Sequence, residues 1–362
     1  MHLQRSAGVF RLVADSQWRR NRLLILCYHG ISRYDEHVWR PSLYMHPEVL
    51  RQRLEILKQG RYNVLRLGEA LQRLQTGDLP PRSVVITFDD GGYDFYATGF
   101  PVIKSFGFPV TVYQNTYYGD YQKPIFNVVC SYLLWKGRDR ILRNPKELGL
   151  TEPLDLSTET SRAQIVRKLI LDADASNLTG VQKNDLAAQV AKSLDISYEE
   201  IVSSRIFQLM NSYERAELAA AGVDFQLHTH RHRTPLEEGL FRKEIQDNRR
   251  SLQQLGETAI HFCYPSGIYR PEFSTWLQKE NVVSATTCDS GLASRRSNPF
   301  LLPRFVDTSL RSAIEFEAWL TGLGALMTLR KAASQIVPAA AGSASQVNDA
   351  VHSVLTNEAR RK

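Results

Sequence analysis

The stretch that most restricts how this chain can fold is Val84–Gly92, VVITFDDGG, where a run of buried-strand character ends abruptly in two aspartates and two glycines. An apolar, β-branched run bounded by turn residues is the pattern of a strand buried on both faces. It delivers Asp89 and Asp90 to the strand's C-terminal end, where parallel α/β folds carry their chemistry. Adjacent carboxylates repel unless protons or a cation hold them, so the pair asks for a metal nearby. Asp-Gly is also ordinary turn chemistry, and this stretch alone leaves both readings open.

A second stretch decides between them. Val223–Leu227 reads as another strand and runs into HTHRH, which places three of the nine histidines, His228, His230 and His232, close together at its end. Imidazoles ligate divalent ions, and the four-residue offset between His228 and His232 lets one turn of backbone aim two rings at one point. A solvated His/Arg loop is the plainer alternative. Two imidazoles and one carboxylate make a three-ligand site with a position left for water, the arrangement of a catalytic ion. One aspartate is then spare.

TFDDG combined with H-T-x-x-H resembles the NodB-homology polysaccharide deacetylases, carbohydrate esterase family four, over roughly residues 23–305 apart from an inserted middle. The resemblance implies that Asp89 is the catalytic base, that Asp90, His228 and His232 ligate a divalent metal, and that Thr229 steadies the histidine loop. Zinc is the default ion for such donors, with cobalt, nickel and iron fitting the same groups. LCYHGI is similar to the opening YH motif of the bacterial branch. If its strand opens a barrel, His29 lies at the same face as Asp89; a hydrogen-bonded histidine at a strand end is the alternative. CYPSG matches the third motif in Pro265 and Gly267, which implies that Ser266 offers its backbone N–H to an oxyanion. Two positions depart from the pattern: Cys263 stands where many relatives carry an arginine that orients the base, and Ser266 where they carry tyrosine. The LPR segment at Leu302–Arg304, also found in the bacterial branch, makes Arg304 the candidate that holds Asp89 ionised, against a simple surface salt bridge. The family's final Leu-x-His, source of the general acid, has no match, since the one histidine after Arg304 is His352. His29, His230, Asp289, Asp89 itself or water is left for that role.

The implied fold is α/β, a distorted (β/α)7-type barrel with a helical insertion between strands. The 362 residues, 43% hydrophobic and 23% charged, suit one large α/β domain with an insertion or two smaller domains. The expected division is a basic N-terminal segment 1–22, barrel halves 23–116 and 212–310, the insertion 117–211, a C-terminal helix 311–335 and a tail 336–362. Leu23–Cys27 reads as the first strand. Val49, Leu50, Leu54 and Leu57 recur at helical spacing, followed by a strand Tyr62–Leu65 and a helix Leu67–Leu74, a βαβα opening. Between 117 and 211 strand signals give way to four helix-favouring stretches, read as a substrate lid or an interaction surface over the catalytic face. Its aromatics, among them Tyr117, Tyr121 and Trp135, suit sugar stacking or plain core packing. Helices at Ser212–Gly222, Leu236–Leu255, Pro271–Lys279 and Ser312–Lys331 alternate with strands at Ile260–Tyr264, Val282–Thr286 and Leu301–Val306.

The net charge of +7 suits anionic glycans or lipid headgroups, but no Lys/Arg tract is dense enough to argue for nucleic acid. Four cysteines without a CxxC pair read as buried reduced thiols, which fits a cytoplasmic protein. Residues 1–22 do not read as a secretory signal. Their apolar residues among arginines suit either a helix closing the barrel's bottom or peripheral contact with a membrane surface. The expected activity is metal-assisted removal of N-acetyl groups from a glycan, oligosaccharide or lipid-linked sugar in bacterial surface polysaccharide biosynthesis. A non-catalytic glycan- or partner-binding barrel and an O-deacetylase are the alternatives. An iron-dependent oxygenase would leave the second aspartate without a task. Oligomeric state and the choice of glycan have no sequence marker.

Overall fold

The computed structural model describes residues 8–119, 121–140, 148, 155–256 and 258–328. The expected tail 336–362, with His352, and the end of the helix expected over 312–331 lie outside these residues. The chain divides into two compact units, one of residues up to Tyr117 and from Met210 onward, the other of Tyr118–Leu209.

The first unit is a closed barrel. Its strands are β1 (Arg22–Tyr28), β2 (Gly30–Ile31), β3 (Tyr44–Met45), β4 (Asn63–Val64), β5 (Ser83–Asp90), β6 (Thr111–Gln114), β7 (Asp224–Leu227), β8 (His261–Cys263), β9 (Ser284–Ser290), β10 (Ala293–Ser294) and β11 (Leu302–Val306). Seven of them form a parallel ring in the order β1-β5-β6-β7-β8-β9-β11, closed where β11 returns to β1. The expected βαβα opening is altered in one respect. β1 itself pairs with β5 from Leu24↔Val84 to Tyr28↔Phe88, and the two-residue β4 attaches to β5 outside the ring. β1 and β4 take opposite edges of β5, since Val84 pairs with Leu24 and Val64 at once, and β4 covers only the start of the edge that β6 takes from Thr87 onward.

Alternation along each strand decides what points inward. In β1, Leu24, Leu26 and Tyr28 pack outward with Val84, Ile86 and Phe88 of β5, against helix residues such as Leu50, Leu54 and Leu57. Burying each such leucine stabilises the fold by roughly 1.5–3 kcal/mol. The opposite parity, Leu23 and Ile25 with Val85, Tyr113, Cys263 and Leu302, fills the barrel interior. Further along these strands the same parity brings Cys27, two residues after Ile25, Arg304, two after Leu302, and Asp89, four after Val85, inward at the carboxyl end.

The bottom is closed by the N-terminal segment. Helix Val9–Ala14 sets Phe10 against Ile314, Ala318 and Leu323. Arg19 is fully buried and donates to three main-chain carbonyls: Leu320 O at 2.9 Å, Arg22 O at 2.7 Å and Ser83 O at 3.1 Å. One guanidinium therefore ties the C-terminal helix to the starts of β1 and β5. Arg19→Ala should cost about 3 kcal/mol in urea unfolding, since charged donors are lost and buried carbonyls are left unpaired. A loss below about 0.5 kcal/mol, the scale of an ordinary surface change, would show that the segment does not tie the barrel. The helix expected over 312–331 runs Ala313–Thr321 and breaks at Gly322, whose φ of 89° and position against the Trp18 ring, 2.6 Å from an added Cβ, admit only glycine. Among the described residues no helix is long and apolar enough to cross a membrane.

The second unit is helical, with Phe126–Lys136, Glu159–Ala175, Gly180–Ser193 and Tyr198–Ser203. Thr158, Thr179 and Ser197 cap the last three by accepting main-chain N–H groups, and Thr179 with Gln182 completes a capping box.

Candidate active site

Asp89 and Arg304 meet inside the carboxyl end of the barrel. Arg304 Nη1 and Nη2 lie 2.7 Å from Asp89 Oδ1 and Oδ2, a fork on both oxygens. The guanidinium is held by donating through Nε to Thr287 O at 2.9 Å and through Nη1 to Thr87 Oγ1 at 3.3 Å, and it sits 5.6 Å from the Tyr113 ring centre. Both partners are buried. Burial alone would raise the Asp89 pKa, but the charge and hydrogen bonds of Arg304 outweigh it and hold the carboxyl well below its ordinary range. Cys263 Sγ and Cys27 Sγ stand 3.4 Å and 3.6 Å from Asp89 Oδ2. Burial pushes both thiols up, so they remain S–H donors to the carboxylate. His29 Nε2 is 3.8 Å from the same oxygen, and burial lowers its pKa. A small Cys263 leaves room for Arg304 to reach the base from β11.

Asp90 faces elsewhere. Its φ of 72°, next to Gly91 at 74°, turns the side chain out of strand parity and leaves it 40% exposed. An added Cβ at Gly91 would come within 2.0 Å of Gln114 Oε1, so this turn needs glycine. Asp90 Oδ1 then lies 3.2 Å from His228 Nε2 and 3.1 Å from His232 Nε2. His228 Nδ1 contacts the Cys263 carbonyl at 2.8 Å, and a carbonyl accepts only, so Nδ1 carries the proton and Nε2 presents a lone pair to Asp90. Two lone pairs facing at this distance repel unless a proton or a cation lies between them. The spacing is also that of neighbouring donors sharing an ion at about 2.0–2.2 Å from each. Burial alone would lower the His232 pKa; the Asp90 carboxylate outweighs it and raises it. Conversely the imidazoles overcome burial and hold Asp90 well below its usual range.

Among the described residues three groups of side chains could hold a metal: Asp90 with His228 and His232, Cys27 with His29 and Asp89, and Asp89 with His228 and Cys263. The last two share Asp89, whose oxygens are already taken by Arg304, and each includes a thiol that burial keeps protonated. Only the first offers a free carboxylate and imidazoles together.

The other sequence candidates fall as follows. Ser266 follows β8 in a tight turn with φ 56°, and among the described residues no backbone carbonyl takes its N–H. His230 is tied through Nδ1 to Thr116 Oγ1 at 2.8 Å, and Asp289 is exposed and accepts from Tyr269 Oη at 3.2 Å. Thr229, with φ 61°, accepts the Arg233 N–H on Oγ1 at 3.0 Å. Sequence reasoning missed Cys27 as a neighbour of Asp89, and missed Glu244 and Asn248, which bond the histidine loop. A signal existed for the last two: a glutamate and an asparagine on the apolar face of a helix, beside Phe241, Ile245 and Leu252, ask for buried partners.

No family model matches the chain. It is 27% identical over 99 residues to the poly-beta-1,6-N-acetyl-D-glucosamine N-deacetylase of Escherichia coli strain K12, covering 27% of this chain and 14% of that protein. The chain thus matches only a small part of that relative's length. Among solved structures it resembles the Streptococcus pyogenes deacetylase PplD in complex with acetate, at a TM-score of 0.54 and 19% identity, over 83% of this chain and 97% of that one. It also resembles IcaB from Ammonifex degensii, at a TM-score of 0.51 and 16% identity, over 83% and 97% of the two chains. A polysaccharide deacetylase from Bacillus cereus aligns at a TM-score of 0.50 and 13% identity, over 83% and 69%. In fold, the chain is similar to solved polysaccharide deacetylases.

Proposed function

We propose that the protein is a metal-dependent hydrolase that removes N-acetyl groups from a glycan or lipid-linked sugar, in the building of a bacterial surface polysaccharide. The observation that carries this reading is the convergence of Asp90, His228 and His232 on one point, beside an Asp89 kept ionised by Arg304. These three side chains would hold a divalent ion, with zinc the species such donors favour. When bound, the ion would supply Lewis acidity, polarising the amide carbonyl and acidifying nearby water. Asp89 takes the proton of the attacking water, and Arg304 fixes which way its oxygens point. The Ser266 N–H offers a hydrogen bond to the oxyanion, a contact whose loss elsewhere costs about 2.7–4 kcal/mol of transition-state stabilisation. His29, whose Nε2 lies 3.8 Å from Asp89 Oδ2, accepts from Asp89 the proton taken from water and passes it to the leaving nitrogen, so that both residues return to their starting states. Acetate and a free amine result.

The substrate named for the Escherichia coli relative, a β-1,6-linked N-acetylglucosamine polymer, is the first to test, and acetate, held by the solved PplD, is the product to follow. Acetate release from a panel of N-acetylhexosamine glycans and O-acetyl esters should occur with zinc and cease with chelator. Release from esters alone would move the protein to O-deacetylation. No release from any substrate would leave a binding barrel, and release indifferent to chelator would remove the metal from the mechanism.

A further inference from the structure

The helix Glu238–Gln253 buries two polar side chains one turn apart, Glu244 and Asn248. Both reach the loop that carries the histidines. Glu244 Oε2 accepts the Arg231 main-chain N–H at 2.8 Å, and its Oε1 accepts Arg231 Nη1 at 3.1 Å and Arg233 Nε at 2.7 Å. Its main-chain carbonyl takes the His230 N–H at 3.1 Å. Asn248 Oδ1 accepts the His228 N–H at 2.9 Å, while its amide donates to Gln114 O at 2.9 Å and Thr116 Oγ1 at 3.1 Å. Thr116 Oγ1 in turn contacts the His230 ring.

The loop needs such ties. Thr229 and His232 both hold left-handed backbone, with φ of 61° and 54°, and such residues persist only where their surroundings over-determine them. Glu244 grips Arg231 and Arg233, the residues on either side of His232, and so brackets that left-handed position. Asn248 anchors His228 to the end of β6 next door. The two side chains fix the backbone from which both rings are aimed, and neither touches Asp90.

We propose that Glu244 and Asn248 are positioning residues that set the aim of His232 and His228, and through it the affinity of the site for its metal. This rests on the reading of Asp90, His228 and His232 as ligands. The rival view is that Glu244 merely stabilises the fold by neutralising two arginines.

The test is zinc titration of the full chain against a chromophoric competitor, with thermal unfolding measured alongside. Glu244→Gln should weaken zinc binding by about 10- to 100-fold, the usual effect of removing a partner that orients a ligand. Glu280→Gln is the control: Glu280 is also buried and paired, with Arg242 at 2.6 Å, but does not touch the loop, so this variant should lose stability and keep its zinc affinity. Should Glu244→Gln fail to fold, Arg233→Ala, at a half-buried position, reads the same tie with a smaller loss in the same direction. Wild-type affinity in the folded Glu244→Gln and Arg233→Ala proteins, with His228→Ala deficient, would overturn the positioning role. Wild-type affinity in His228→Ala would instead overturn the ligand assignment, and the proposal with it.

Discussion

Replacing Asp89 by asparagine is expected to lower acetate release by about 10²- to 10⁴-fold, the contribution of a positioned general base. Zinc binding should stay near wild type, because the carboxylate facing His228 and His232 belongs to Asp90. Stability should fall as well. Breaking a buried pair by removing one charge costs roughly 3–5 kcal/mol, and asparagine keeps one oxygen for the Arg304 fork, so the loss should sit at or below the bottom of that range. Kinetics and urea unfolding on the same preparation separate the two effects. Near-wild-type turnover in Asp89→Asn would sink the assignment of the base, and with it the division of labour between the adjacent aspartates.

Arg304→Met should have the second large effect, and its sign with pH is specific. In the wild type Arg304 depresses the Asp89 pKa, so the carboxylate contributes stability above the unfolded value of about 3.9, which is lost as pH falls through the folded value. Turnover should therefore show no acid limb from this group near neutrality. Without Arg304, the largest opponent of burial is gone, and the Asp89 pKa rises. The acid limb should then move toward neutral pH, activity at pH 7 should drop by at least about tenfold, and part of it should return in alkaline buffer. The unpaired carboxylate should also cost roughly 3–5 kcal/mol of stability at neutral pH. An unshifted pH–rate profile in a folded Arg304→Met protein would show that Arg304 is structural only. Arg304→Lys is not a conservative rescue, since a single ammonium cannot fork onto both oxygens.

What could be read in the sequence is what leaves a periodic or paired mark. β5 announces itself by an unbroken buried run, and the metal-facing groups by carboxylates and imidazoles at two strand ends. Strand parity even sorts interior from exterior once the ring is known. The ring itself is less legible: that β5 takes β1 on one edge and β6 with the short β4 on the other rests on pairings that no local pattern marks. Arg19 looks like one arginine among many in a basic segment, and nothing local reveals that it spans three carbonyls brought together by the closed barrel. Cys27 reads as a plain buried thiol because its neighbour Asp89 is distant in sequence. The break at Gly322 is a different case, since an apolar stretch predicts a continuous helix and the left-handed glycine overrides it.

The pairing of β6 with β7 has a consequence for how such a chain can change. These strands match from Thr111↔Asp224 to Gln114↔Leu227 although residues 118–209 lie between them. Both roots of that excursion are pinned to the rim, Tyr117 N to His230 O at 2.8 Å and Met210 N to Gly91 O at 3.0 Å. Strand alignment is thus settled without reference to what the excursion contains, and lengthening such a detour adds closure entropy only logarithmically. The ninety or so residues between the roots can therefore change in length and sequence while the register of β6 against β7 is kept.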